Sequence, residues 1–404
     1  MKPNRTFGWW LAAVVFGLFA GCSSASPSPA TTPPSSPAET VTPSVIPSPT
    51  PSETPSPTPS AVAPLGEVER DSKARIEIDP VDYNGQRVVL ATFGKAARGR
   101  PVSLQHKTDA GWQELANGVV GKDAAVEFMV PFAVDTYRAV VAAADGEPAV
   151  ASPSAAAKDQ WRRGLSDDFD GDSLDGTDWG PRNEGSYLAG GRACSAAYFS
   201  NVKVTDGVVR LRMTKEKKTA HQRAARAAGC TEGEYYRNAM ISTESRYTQR
   251  SGYLAARVKF PFGQGMHGSL WLQSYRHSEI DVVESYGFGK GITSVIHLNG
   301  KQVPGPEKAW IMRDRLKDPA WWEEYHVYSV EWGKAGVIVR VDGQVVQRID
   351  TAPANVDYFV VLSLLSSDWE LERLRKPAQG APGVEPQPLP GVMEIDWVRT
   401  WTPR

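Results

Sequence analysis

Apolar and polar positions divide the 404-residue chain into four textures. Residues 8–21 are apolar almost without interruption and follow Lys2 and Arg5. About 14 such residues are too few to cross a bilayer comfortably and have the form of a secretory signal over 1–21. From 23 to 64 there is no hydrophobic period; the segment is almost only Ser, Pro, Thr and Ala, with Glu39 and Glu53 its sole charges. Residues 66–158 read as short strands, as in Arg75-Ile76-Glu77-Ile78, Pro101-Val102-Ser103-Leu104-Gln105 and Thr136-Tyr137-Arg138-Ala139-Val140-Val141. Turn signals such as Asn84-Gly85, Asp109-Ala110-Gly111 and Asn117-Gly118 separate them, and the rhythm predicts a small β-sandwich. From 159 to 404 the same texture continues at larger scale. Asp206-Gly207 and Asp342-Gly343 each sit between valine-rich runs, which predicts two hairpins. Tyr358–Leu365 is continuously apolar, as expected of a strand covered on both faces. One helix is predicted, over 217–228, as an insertion. The whole is expected to be all-β, with a jelly-roll-sized sandwich following the small one.

Composition narrows the function classes. With 45 Lys+Arg against 46 Asp+Glu there is no electrostatic case for nucleic acid. Three cysteines are too few for a disulfide scaffold or a four-thiolate metal site. Prolines and tryptophans segregate: 13 of 31 Pro fall within 23–64, and ten of 13 Trp within 161–401. A Pro-rich segment of this composition stays extended at ~3 Å per residue, a reach on the order of 130 Å. The pattern is that of a tether carrying an aromatic-rich domain.

Leu18-Phe19-Ala20-Gly21-Cys22 resembles the lipobox of bacterial lipoproteins, with Phe19 in place of the usual Leu. The resemblance implies cleavage before Cys22, acylation of its thiol, and an extracytoplasmic chain anchored to the membrane through residues 22–65; ordinary signal cleavage would leave it secreted. The 66–158 region resembles bacterial immunoglobulin- or fibronectin-type spacer domains. Trp112 and Tyr137 are its large handles for a sugar, and Trp112 is expected in its core.

The chemistry concentrates in Ser278-Glu279-Ile280-Asp281-Val282-Val283-Glu284-Ser285. Ile280, Val282 and Val283 indicate a strand, and the acids stand at i, i+2 and i+5. In a regular strand Glu279 and Asp281 share a face and Glu284 points away. One β-bulge at Val282-Val283 returns Glu284 to their side. The glutamate Cα atoms would then lie about four strand steps apart, on the order of 13 Å, with carboxyl groups reaching toward the ~5–5.5 Å of retaining glycosidases. Glu279 would be the nucleophile and Glu284 the acid and then the base, with Asp281 hydrogen-bonding a neighbouring carboxyl. Acids this close cannot all ionise, so at least one is expected to titrate high, as a general acid requires.

The surroundings resemble glycoside hydrolase family 16 over essentially all of 161–404. Asp168-Phe169-Asp170-Gly171-Asp172-Ser173-Leu174-Asp175 with Trp179 looks like that family's opening. Gly252-Tyr253-Leu254-Ala255-Ala256-Arg257-Val258-Lys259-Phe260-Pro261 and Ser269-Leu270-Trp271-Leu272 look like the strands before its acidic motif. Tyr325-His326-Val327-Tyr328-Ser329-Val330-Glu331-Trp332 and Met393-Glu394-Ile395-Asp396-Trp397-Val398-Arg399 look like those after it. The resemblance, to the bulged, laminarinase-like branch, implies a jelly roll whose cleft binds polysaccharide and cleaves internal β-linkages with retention, most simply those of a β-1,3-glucan. It carries the catalytic roles onto Glu279, Asp281 and Glu284 and implies no required cofactor.

Trp271 matches the family's cleft tryptophan, a sugar platform unless it is buried as core. His297 is read as a cleft hydrogen-bonding group or as a satisfied strand histidine. Where β-1,3-glucanases of this branch carry Trp-Pro, this chain has Met266-His267-Gly268, so His267 is placed against substrate as a smaller polar ring. No metal site is expected from histidine spacing, although calcium at a structural site occurs in the family. With Cys22 lipidated, Cys194 and Cys230 remain for a disulfide pinning the insertion. The basic residues Lys215, Lys217, Lys218, Arg223 and Arg226 read as a solvated face. A monomer is expected. The alternatives are hydrolysis or transglycosylation of another β-glycan such as a galactan, and a carbohydrate-binding lipoprotein without catalysis.

Overall fold

The computed structural model describes residues 68–144, 146–189, 191–303, 312–375 and 389–404. The signal, Cys22 and the Ser/Pro/Thr segment lie outside them. Both Asp-Gly turns have positive φ at both central positions, 56° and 70° at Asp206 and Gly207, 48° and 79° at Asp342 and Gly343. This is the backbone whose twist matches paired strands. They join Val202–Thr205 to Val208–Lys215 and Gly336–Val341 to Gln344–Ile349.

These strands belong to a folded-over sheet of 16 strands. One layer runs, in hydrogen-bonded order, Lys301–Gln302, Ile292–Leu298, Glu279–Ser285, His267–Ser274, Tyr358–Leu365, Tyr236–Ser242. The other runs Val208–Lys215, Gly391–Pro403, Gly252–Lys259, His326–Gly333, Gly336–Val341, Gln344–Ile349. The end of Val208–Lys215 also pairs with Tyr236–Ser242, through Thr214–Arg237 and Lys215–Tyr236, and so joins the layers. Leu270, Leu272, Ile280, Ile296, Leu362 and Leu364 from the first layer meet Val209, Leu211, Leu254, Val330, Val339 and Ile395 from the second in one core. The chain is all-β and sandwich-like. All eight residues of Tyr358–Leu365 are buried. Tyr358, Val360, Leu362 and Leu364 face that core, while Phe359, Val361 and Leu365 pack with Met240 and Trp271 on the other side.

The helix of the insertion spans Thr219–Ala227. Cys194 and Cys230 are joined in a disulfide, their Cα atoms 4.8 Å apart. Among the described residues no helix is long and apolar enough to cross a membrane.

Ahead of this sandwich, Arg75–Ile78, Gln86–Thr92 and Ala125–Pro131 form a three-stranded sheet. It packs on a six-stranded one containing Pro101–Thr108, Gly111–Val119 and Thr136–Val141. Tyr137 is in this core, but Trp112 is not. Trp112 lies on Gly111–Val119, the last strand of its sheet, where it is only half-buried. Arg138 and Lys107 stand 4.7 and 5.5 Å from its ring centre. An edge strand offers one paired neighbour and little cover, so cations rather than core close over the indole. Val81, Tyr83 and Val88 pack against Tyr253, Val327, Trp397 and Trp401 of the large sandwich. Arg340 there pairs with Glu127 at 2.6 Å and Asp79 at 3.6 Å.

Candidate active site

Glu279–Ser285 pairs with His267–Ser274 on one side and Ile292–Leu298 on the other. Opposite Leu270 and Trp271 stand Val283 and Asp281, so Val282 is an extra residue. On the other side Asp281 faces Val295 and Glu284 faces Thr293, again one residue out of step. Val282 and Val283 both enter the core. A bulge that turns two successive apolar side chains inward returns Glu284 to the side of Glu279 and Asp281. Period-2 alternation brings His267, Ser269, Trp271 and Gln273 to the same face from the neighbouring strand.

Each acid has its own surroundings. Glu279 lies between Gln273 and His297 in the ladder, and Gln273 Nε2 donates to its Oε2 at 3.2 Å. The amide oxygen of Gln273 accepts from Arg182, which also pairs with Glu244. The Arg182 guanidinium lies 4.9 Å from the ring centre of Phe359 and 5.8 Å from that of Trp271. Trp271 is half-buried, and its Nε1–H donates to Ser363 Oγ at 3.2 Å. His297 Nε2 stands 3.4 Å from Asp281 Oδ2. Glu284 receives Thr293 Oγ1 at 2.8 Å and Tyr286 Oη at 3.2 Å. His267 Nε2 is 3.0 Å from Glu284 Oε1, close enough for a charged contact but off the line of a well-directed hydrogen bond.

Electrostatics separate the three. Burial pushes Glu279 up to about 8, helped by Asp281 and opposed by His297 and the Gln273 bond. Burial and the charge of Glu284 push Asp281 well above the usual carboxylate range. Burial works to raise Glu284 as well, but His267 close beside its carboxylate and the donating hydroxyls of Thr293 and Tyr286 bring it down to about 2. The acids are coupled as expected, but the raise falls on Glu279 and Asp281. Glu284, read from sequence as the proton donor, is held ionised because two hydroxyl donors and the His267 ring converge on it. Glu279, Asp281 and His297 also present ligand atoms within 4.8 Å of one another, room for a small cation. Two of these are carboxyls that glycoside chemistry needs free.

His267 is not an open sugar surface. Its side chain is 8% exposed, stacked on Tyr286 with ring centres 4.3 Å apart and turned to Glu284. Gly268 next to it has a packing reason: a Cβ there would stand 2.6 Å from the Phe260 ring. The acidic run 167–178 is partly used internally. Asp167 accepts from Trp179 Nε1 at 2.9 Å, and Asp168 pairs with Arg399 at 2.6 Å. Arg182, Arg192, Gln273, Tyr286, Thr293 and Glu370 are not among the candidates that the sequence offers. Only Gln273, two positions after Trp271 on an alternating strand, carried a signal; the others depend on strand register or on distant loops.

The family model described as "Beta-porphyranase A-D, GH16 domain" matches residues 160–403, more than half of the chain. The chain is 23% identical over 267 residues to Glucan endo-1,3-beta-glucosidase A1 of Niallia circulans, covering 58% of this chain and 37% of that protein. It is 28% identical over 152 residues to Endo-1,3-1,4-beta-glycanase EglC of Rhizobium meliloti (strain 1021), covering 37% and 30%. The chain therefore spans about a third of the length of these curated relatives. Among solved structures, the laminarinase catalytic domain from Thermotoga maritima MSB8 aligns with a TM-score of 0.45 and 20% identity, over 60% of this chain and 98% of that one. By the match over 160–403, this chain belongs to glycoside hydrolase family 16.

Proposed function

We propose that this chain is an endo-acting hydrolase that cleaves internal β-linkages of a polysaccharide in two displacements. The observation that carries this reading is the bulge at Val282, which gathers Glu279, Asp281 and Glu284 on one face beside Trp271. In the reacting complex the proton that burial holds on Glu279 stands instead on Glu284, so Glu279 attacks the anomeric carbon as the carboxylate while Glu284 gives that proton to the departing glycosidic oxygen. Water then attacks the same carbon, the bond to Glu279 breaks, and Glu284 takes the water's proton. Asp281, kept protonated by burial and by Glu284, hydrogen-bonds its neighbours rather than adding a further charge. Trp271 lines the cleft, and His297 holds Asp281. No metal enters these steps.

For the substrate we propose a β-1,3-glucan, a reading supported by the names of the curated relatives. The porphyranase description of the matching family favours a β-galactan as the second reading. The Cys22 motif and residues 22–65 support a membrane-anchored, extracytoplasmic chain, with the smaller sandwich as a spacer. The test is digestion of laminarin, mixed-linkage glucan, agarose and porphyran by the protein and by Glu279→Gln. Oligosaccharides of several lengths from one polymer, absent with the variant, support the proposal. Binding without release from any polymer overturns it.

A further inference from the structure

The contacts of His267 reach beyond the acids themselves. Its Nδ1 lies 3.5 Å from Nη2 of Arg192. A guanidinium only donates, so Nδ1 accepts, and the proton of the neutral ring sits on Nε2, the atom beside Glu284 Oε1. Glu370, which interacts electrostatically with both His267 and Arg192, is fully buried, and both of its carboxylate oxygens lack a hydrogen-bond donor among the described residues. Arg373 approaches it to 3.7 Å. Burial raises Glu370, and the cations Arg192 and Arg373 hold it down. Burial likewise lowers Arg192, which Glu370, Tyr286, Glu284 and Asp368 counteract.

We propose that His267 is a positioning residue for Glu284: oriented by Arg192 and stacked on Tyr286, it holds Nε2–H 3.0 Å from the Glu284 carboxylate, near enough to act on its charge without lying in line as a hydrogen bond. This rests on the catalytic reading above and deepens it. The donors around Glu284, namely His267, Tyr286 and Thr293, all fit its ionised form. That form exists once the leaving oxygen has been protonated, and it is the one that takes a proton from water. His267 thus favours Glu284 as the base of the second displacement, at the expense of its protonation before the first. The groups facing the imidazole are Glu284 and Tyr286 from the acidic strand and the turn after it, Arg192 from the loop before Cys194, and Glu370 from the segment Asp368–Arg375.

The test uses the full chain labelled with ¹³C at glutamate carboxyls, the Glu284 resonance being assigned by its loss in Glu284→Gln. His267→Phe keeps a ring over Tyr286 but removes the donor, and His267→Gln keeps a neutral donor. The proposal expects the Glu284 midpoint to rise by about one pH unit or more in the Phe variant, and by less in the Gln variant. The basic limb of kcat/KM should move the same way, with kcat changed more than KM. An unmoved Glu284 titration in both variants overturns the proposal, as does a raised KM with an unmoved pH profile, the behaviour of a sugar platform. If His267→Phe does not fold, the Gln variant carries the comparison. The titration needs no substrate, so it stands even if every polymer resists cleavage.

Discussion

Gln273 donates to Glu279 over 3.2 Å, and the direction of that bond is fixed from behind. Arg182 takes the amide oxygen, leaving only the amide nitrogen for the carboxyl. Without Arg182 the amide is free to turn its oxygen toward Glu279. Arg182→Met should therefore lower kcat through loss of one bond to a charged group, about 1.5–3 kcal/mol, or about 10- to 150-fold. KM should change little. Steady-state kinetics check this, and wild-type kcat in the variant would show that the amide needs no holding.

Glu279 also sets a pH dependence of stability. Burial and Asp281 raise it to about 8 in the folded protein, against 4.5 for the ordinary group. Between those pH values the folded state binds more protons than the unfolded one, so stability falls as pH rises across the window. Glu279→Gln lacks this loss. It should match wild type near pH 4.5 and exceed it near pH 8, by on the order of 4 kcal/mol. Urea unfolding at both pH values is the measurement, and a difference independent of pH would contradict it.

Glu284 behaves in the opposite sense. Its donors bring it to about 2, below the ordinary 4.5, despite its burial. Its contribution is therefore present above about pH 4.5 and lost as pH falls toward 2. Glu284→Gln should be less stable than wild type at pH 7, and the gap should close in acid. An unchanged gap from pH 7 to 3 would show that His267, Thr293 and Tyr286 do not hold Glu284 ionised.

These opposite shifts mark where sequence stops being informative. The i, i+2, i+5 spacing of the acids is enough to locate the bulge, because a strand has only two faces and Val282 and Val283 are both apolar. Two Asp-Gly pairs locate two hairpins, because their turn requires positive φ. Which acid holds its proton is not legible. It depends on burial and on His267, Thr293 and Tyr286, which strand register and the turn after the acidic strand bring around Glu284. Trp112 departs from its expected core position for a related reason: alternation gives its strand, but not that the strand lies at a sheet edge.

The contact between the two sandwiches makes a separate prediction. Arg340 is buried between Glu127 and Asp79, which lie on the smaller sandwich. Burial raises Asp79 to about 7 even with Arg340 nearby. Arg340→Ala leaves Asp79 buried without its cation, although Val81 N–H and the Tyr83 hydroxyl still donate to it, and should lower the urea midpoint at pH 8, with a loss of up to about 3 kcal/mol in stability. In acid, where Asp79 is protonated, the loss should be smaller. Equal losses at pH 5 and pH 8 would mean that Asp79 is not the group left exposed to the penalty.

The central claim is that Glu279 and Glu284 act as nucleophile and acid/base across one bulged strand. The most direct test is the anomeric configuration of the first product, followed by ¹H NMR during early cleavage of whichever polymer the protein degrades. The account predicts β-anomer first, relaxing later to the equilibrium mixture. Initial release of the α-anomer would contradict it, because a single displacement by water would leave Glu279 without its covalent role.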